Sequence, residues 1–249
     1  VFFAFECPIA YLKQFQQVSD FDFILAHLLK DRDYYNFYKK SNKFKILDNG
    51  ACELGKSIDT DNLIKWAYDL EVDMLVAPDC LLNKNETIKL WKKFKKDYVA
   101  LPFKIMAVPQ GKTVLEYVKC LEYFEKEKRV DIIGLGYKPI STSFYRKYKT
   151  HKKDVTTTRL NLVKEYIIKK PTHLLGLGSS GGYEILHNNI SATTDSASPV
   201  ILAIENKSIP RNGRYTRTIP HLDFYYKFNK KVLKLAIQNA LKLKGFSSE

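Results

Sequence analysis

The chain has 249 residues, 45% of them hydrophobic and 27% charged, and carries a formal net charge of +14. That composition argues against disorder, and no apolar run approaches the roughly 18 residues needed to span a bilayer. The four cysteines lack Cys-x-x-Cys spacing, which argues against a zinc site and fits reduced thiols in a cytoplasmic protein, while the basic excess points to a polyanionic partner, either nucleic acid or a membrane surface, with nucleic acid and no membrane as the expectation.

In chain order, short apolar runs read as strands over 1–5, 22–29, 44–48, 74–78, 104–109, 131–135, 173–177 and 190–194. Most are continuously apolar, as parallel strands covered on both faces should be. Amphipathic stretches between them predict helices over 59–71, 85–98, 113–127, 157–169 and 229–244. Thr113 and Glu116 have capping-box spacing at the start of one of these. Residues 137–156 and 205–226 break the alternation and read as long basic βα loops. Alternating elements of this kind indicate α/β architecture. The strand count, with a length near the roughly 250 residues typical of the fold, predicts one (β/α)8 TIM barrel over 1–249 with a C-terminal helix.

The strand ends carry the chemistry. Asp48, Asp79 and Asp195 each close or follow an apolar strand-like run. In parallel barrels that end builds the active site. Around them stand Asn49 and Gly50, Gln110 and Gly111, Gly134 and Leu135, and the glycine pair Gly176 and Gly178. Acids and amides can pair with a heterocycle edge, and glycines let backbone approach a flat ligand. These residue types suit a slot for a purine-like base. The run from Gly178 to Gly182 follows the seventh strand, where barrels often hold phosphate. His173 opens an apolar strand and reads as structural.

The ordered segments Asp48-Asn49-Gly50-Ala51, Pro78-Asp79, Pro109-Gln110-Gly111, Gly134-Leu135-Gly136, Gly176-Leu177-Gly178 and Thr194-Asp195-Ser196-Ala197-Ser198-Pro199 resemble the tRNA-guanine transglycosylases. These are TIM barrels that exchange guanine for a 7-deazaguanine. The resemblance covers roughly residues 44–200. It implies that Asp195 is the nucleophile and that Asp48 handles the proton. It further implies that Asp79, Gln110, Gly134 and Leu135 hold the base, with Asn49 and Gly50 beside them. The family's zinc cysteines have no counterpart, Cys52 stands where its stacking aromatic would be, and Val200-Ile201 replaces its Thr-Arg. The abbreviated, zinc-free form is most similar to relatives that modify DNA in bacteriophages and bacterial islands.

The expectation is therefore base exchange in DNA, with a free preQ0-like 7-deazaguanine as second substrate and no cofactor or metal. Exchange on tRNA, hydrolytic N-glycosylase activity and non-catalytic nucleic-acid binding are the alternatives. Arg146, Lys147 and Lys149 in the first irregular segment and Arg211, Arg214 and Arg217 in the second are the candidate contacts to a strand with one base flipped out.

Overall fold

A computed structural model describes residues 1–148, 159, 168–187 and 191–247, the side chains of 145–148 excepted. Eight strands form the sheet: β1 (Phe2–Phe5), β2 (Asp22–Leu25), β3 (Lys45–Asp48), β4 (Met74–Val76), β5 (Lys104–Ala107), β6 (Ile132–Gly136), β7 (Thr172–Leu175) and β8 (Ser191–Ser196). Their order is β1-β8-β7-β6-β5-β4-β3-β2, and every pairing is parallel. The result is a nearly closed (β/α)8 TIM barrel with a C-terminal helix at Lys230–Gly245.

The one seam lies between β1 and β2. Side chains bridge it in place of a ladder: Phe3 N–H donates to Asp20 Oδ2 at 2.8 Å and Phe5 N–H to Ser19 Oγ at 3.1 Å. Asp20 N–H returns a bond to the Phe3 carbonyl at 2.7 Å. Backbone groups that would otherwise be buried unpaired are thereby satisfied.

The outer helices follow their apolar stripes. The helix Lys84–Asp97 buries Trp91 and Phe94, and Val114–Lys126 buries Tyr117, Val118, Leu121 and Phe124. Both halves of the Thr113–Glu116 capping box are formed. Asn83 and Asn229 cap their helices through side-chain oxygens.

Three sequence readings change. The run 22–29 is strand only to Leu25; Ala26–Leu28 turns as a 3-10 helix, and Asp31 caps the next helix, Arg32–Lys39. The first irregular segment is not a loop where it is described, because Tyr137–Tyr148 is helical. Pro139 sits in its first turn, where its missing N–H removes no helical bond, and Ile140 and Phe144, four apart, are buried. Asp195 lies inside β8 rather than beyond its end. The segment 205–226 contains neither helix nor strand, yet Ile209, Tyr215 and Leu222 anchor it in the core. Of the helix expected at 157–169, only Arg159 and residues 168–169 are described. Among the described residues no helix is long and apolar enough to cross a membrane.

Candidate active site

A cavity of about 580 Å³ opens at the carboxyl ends of the strands and is lined by Asp48, Asp79 and Asp195 together. Glu6, Asn49, Gln110, Tyr137 and Arg217 share it. The residue after β1, the ends of β3 and β8, and the turns after β4 and β5 thus aim acids and amides at one space.

The serines and threonines around Asp195 are stitches. Thr194 Oγ1 donates to the Leu174 carbonyl at 2.9 Å, Ser198 Oγ donates to that of Leu177 at 2.6 Å, and Ser196 Oγ accepts from Ser198 N–H at 3.1 Å. They lock the end of β8 to β7. Register pairs His173 with Thr193, two residues before Asp195 and therefore on the same sheet face. His173 consequently bridges both: Nδ1 lies 2.8 Å from Thr193 Oγ1 and Nε2 lies 3.0 Å from Asp195 Oδ1. Phe23 stacks on the imidazole at 5.6 Å and fixes its plane. Gly176, at φ +69°, turns its N–H onto both Asp195 oxygens at 3.0 and 3.1 Å. A side chain there would be strained in that left-handed conformation. Burial pushes the Asp195 carboxyl up, but the hydrogen bond and charge of His173, with help from Glu6 and the Gly176 N–H, outweigh it. Asp195 is held below the usual carboxylate range.

The opposite wall behaves differently. Among the described residues, Asp48 accepts only the Gly50 N–H, at 2.8 Å. Burial raises its carboxyl well above the ordinary value, and Glu53, Asp79 and Asp195 add repulsion. Asp79 is pushed up to about 7 by burial, against lowering hydrogen bonds from Gln110 Nε2 at 2.8 Å and Asn49 Nδ2 at 3.2 Å. Both amides are held in turn. Gln110 Oε1 accepts from Leu82 N–H at 2.9 Å, and Asn49 Oδ1 accepts from Ala51 N–H at 2.8 Å. Gln110 and Asn49 therefore orient Asp79 as well as facing the cavity.

Other sequence candidates are placed variously. Gly134 and Leu135 lie below the cavity wall; the side of Gly134 faces Leu175 and Met106, and Gly136 is the glycine of that strand that lines the space. Gly50 supplies the N–H to Asp48 and does not itself line the cavity. Arg217 reaches the wall, with Nη1 3.5 Å from Ser198 Oγ. Arg214 stacks on the Tyr183 ring at 3.7 Å and Arg211 is exposed, both outside the cavity lining. Arg146 and Lys147 lie on the helix Tyr137–Tyr148, and Lys149 lies outside the described residues. The glycines from 178 to 182 serve close packing: a Cβ on Gly178 would meet the Tyr137 ring at 2.1 Å, and one on Gly182 would meet Gly213 at 2.7 Å. Tyr137, Phe23 and Phe224 line the cavity, so aromatic surface is present although Cys52 offers none.

Four contributors were not singled out as functional. Glu6 follows the run 1–5 as the aspartates follow theirs, a signal present in the sequence. His173 was read as structural, and only strand register reveals its bond to Asp195. Arg159 and Glu184 form a fully buried pair, with Arg159 also donating to the carbonyls of Leu135, Leu175 and Gly176. This pair braces the ends of β6 and β7 beneath the Gly176 turn.

No protein-family model matches the chain, and no curated protein matches it. Among the described residues no group of three or more His, Cys, Asp or Glu side chains is arranged to hold a metal ion.

Proposed function

We propose that the protein is a nucleic-acid guanine transglycosylase, acting on DNA in the cytoplasm and replacing guanine with a free 7-deazaguanine of the preQ0 type. The observation that carries this reading is the split in charge state among carboxyls of one cavity: Asp195 is lowered while Asp48 and Asp79 are raised. Pairs of acids pushed apart in this way divide into a nucleophile and a proton donor.

In the proposed sequence, ionised Asp195 attacks C1′ of a flipped nucleotide. The C1′–N9 bond breaks and its electron pair leaves with guanine, which takes a proton from Asp48. The 7-deazaguanine then enters, gives its N9 proton to Asp48 and displaces Asp195 from C1′. One carboxyl serves both halves by microscopic reversibility. Asp79, half protonated near neutrality, can present a donor or an acceptor to the edge of the base, steadied by Gln110 and Asn49. The cavity volume of about 580 Å³ accommodates a nucleotide and the aromatic walls suit a flat ring. The order of strand-end motifs supports guanine and its 7-deaza analogue over other bases, and the net charge of +14 supports a polyanion as carrier.

The test is direct. Purified protein mixed with labelled 7-deazaguanine and guanine-containing DNA is expected to incorporate label into the DNA and release free guanine. Release of guanine with abasic sites and no label would mean hydrolysis. Incorporation into tRNA alone would move the substrate. No reaction with either polymer would overturn the reading.

A further inference from the structure

We propose that Glu6 is the hydrogen-bond donor to the nucleophilic Asp195 carboxylate and sets the lifetime of the covalent ester. This rests on the base-exchange reading above and adds a residue to it.

The placement follows from register. Ala4 of β1 pairs with Asp195 of β8, so their side chains share a face. Glu6 is two residues beyond Ala4, one pleat further up the same face. Its N–H donates to the Ser196 carbonyl at 3.1 Å, which keeps the chain alongside β8 past the end of β1. Glu6 therefore lines the cavity against Asp195, within hydrogen-bonding reach of its carboxylate. Two carboxyls in such contact hold one proton between them. His173 and the Gly176 N–H already favour charge on Asp195, so the proton resides on Glu6. The other groups that act on Glu6 agree: Glu53 opposes its ionisation, and Arg217 favours it less strongly. Cys7, the next residue, and Tyr34 are buried, and burial raises both pKa values, so they stay neutral.

The chemical consequence is specific. When Asp195 bonds to C1′, its oxygens lose negative charge and the hydrogen bond from Glu6 weakens. When the incoming base displaces it, the electron pair of the O–C1′ bond returns to the carboxylate and the bond strengthens again. Glu6 keeps its proton throughout; Asp48 carries the proton of the base. Glu6 thus stabilises free Asp195 relative to its ester, and an enzyme without that donor retains more ester.

The experiment is to measure, with guanine-containing DNA, the fraction of protein in a denaturation-resistant adduct and the rate of 7-deazaguanine incorporation across pH. Wild type is compared with Glu6→Ala and Glu6→Gln. In Glu6→Ala the adduct-to-free ratio is expected to rise roughly tenfold or more, the range for a hydrogen bond to a charged group, while turnover falls. Glu6→Gln keeps a donor that does not titrate. It is expected to restore a near-wild-type adduct ratio at every pH at which Glu6→Ala raises it. A Glu6→Ala protein that melts like wild type, yet shows an unchanged or smaller adduct ratio, overturns the proposal. So does a Glu6→Gln protein whose adduct ratio stays at the Glu6→Ala level. If wild type forms no adduct with any nucleic acid, the base-exchange reading fails instead. Carboxyl NMR titration of the free protein then decides the pairing alone: one proton shared with Asp195 supports it, and independent titration of the two acids overturns it.

Discussion

The two walls of the cavity carry the same chemical group in opposite states. On the β1–β8–β7 side, Asp195 meets an imidazole and a backbone N–H and is held ionised. On the β3–β4–β5 side, Asp48 has a single N–H and Asp79 has two neutral amides. Burial there outweighs these hydrogen bonds, and both acids are raised. Desolvation is the first influence on all three. The difference is what answers it: the His173 ring together with Glu6 and a backbone N–H at Asp195, against a backbone N–H alone or side-chain amides at the other two.

Substitutions should break this contrast in graded steps. Asp195→Ala removes the carboxyl held below the usual range and is expected to cost on the order of 10⁴-fold or more in incorporation, with complete loss of the adduct. An adduct that survives would assign the nucleophile elsewhere. Asp48→Asn keeps the shape but cannot move a proton, and should slow exchange by about a hundredfold or more in single-turnover assays. His173→Leu makes the first wall resemble the second. Its removal lets burial raise Asp195, so the acid limb of the pH–rate profile should move to higher pH while the alkaline limb stays in place. Loss at every pH would show that His173 does more than hold the charge on Asp195.

Smaller effects sharpen the second wall. Gln110→Leu deletes a donor to Asp79 and leaves the Leu82 N–H unpaired, and should weaken base binding by about tenfold, read as KM for the free base. Asp79 itself makes a stability prediction. Its folded pKa of about 7 lies above the ordinary 3.8, so the native state keeps a proton that the unfolded chain has released. That stability is fully present below about pH 4 and lost as pH rises through about 7. Asp79→Asn should flatten the dependence of Tm on pH over that window. An unchanged slope would mean that Asp79 is not the group responsible.

Much of the architecture was legible because burial on both faces writes strands as apolar runs. Lys45-Ile46-Leu47 and Met74-Leu75-Val76 could scarcely read otherwise. Short helices such as Leu12–Val18 and Gly181–Leu186 gave too few turns for a period to show. The helix Tyr137–Tyr148 was hidden by Pro139 and by serines and lysines that suggest a loop, although Ile140 and Phe144 kept helical spacing. Asp48, Asp79, Gln110 and Asp195 were visible as acids and amides at strand ends, and the fold brings them to one cavity. The partners that set their charge were less so. His173 sits 22 residues before Asp195, and only the pairing of two parallel strands makes them neighbours.

The break between the first two staves of the barrel has a kinetic consequence. The amide protons of Phe3 and Phe5 hang on the side chains of Asp20 and Ser19, not on an adjoining strand. A swivel about a few χ bonds releases them, whereas an amide held in a strand ladder is freed only when the ladder parts. Deuterium should therefore enter at these two amides before it enters those laddered between barrel strands. The stave that leads into Glu6 is thus tied by a ladder on its β8 side alone.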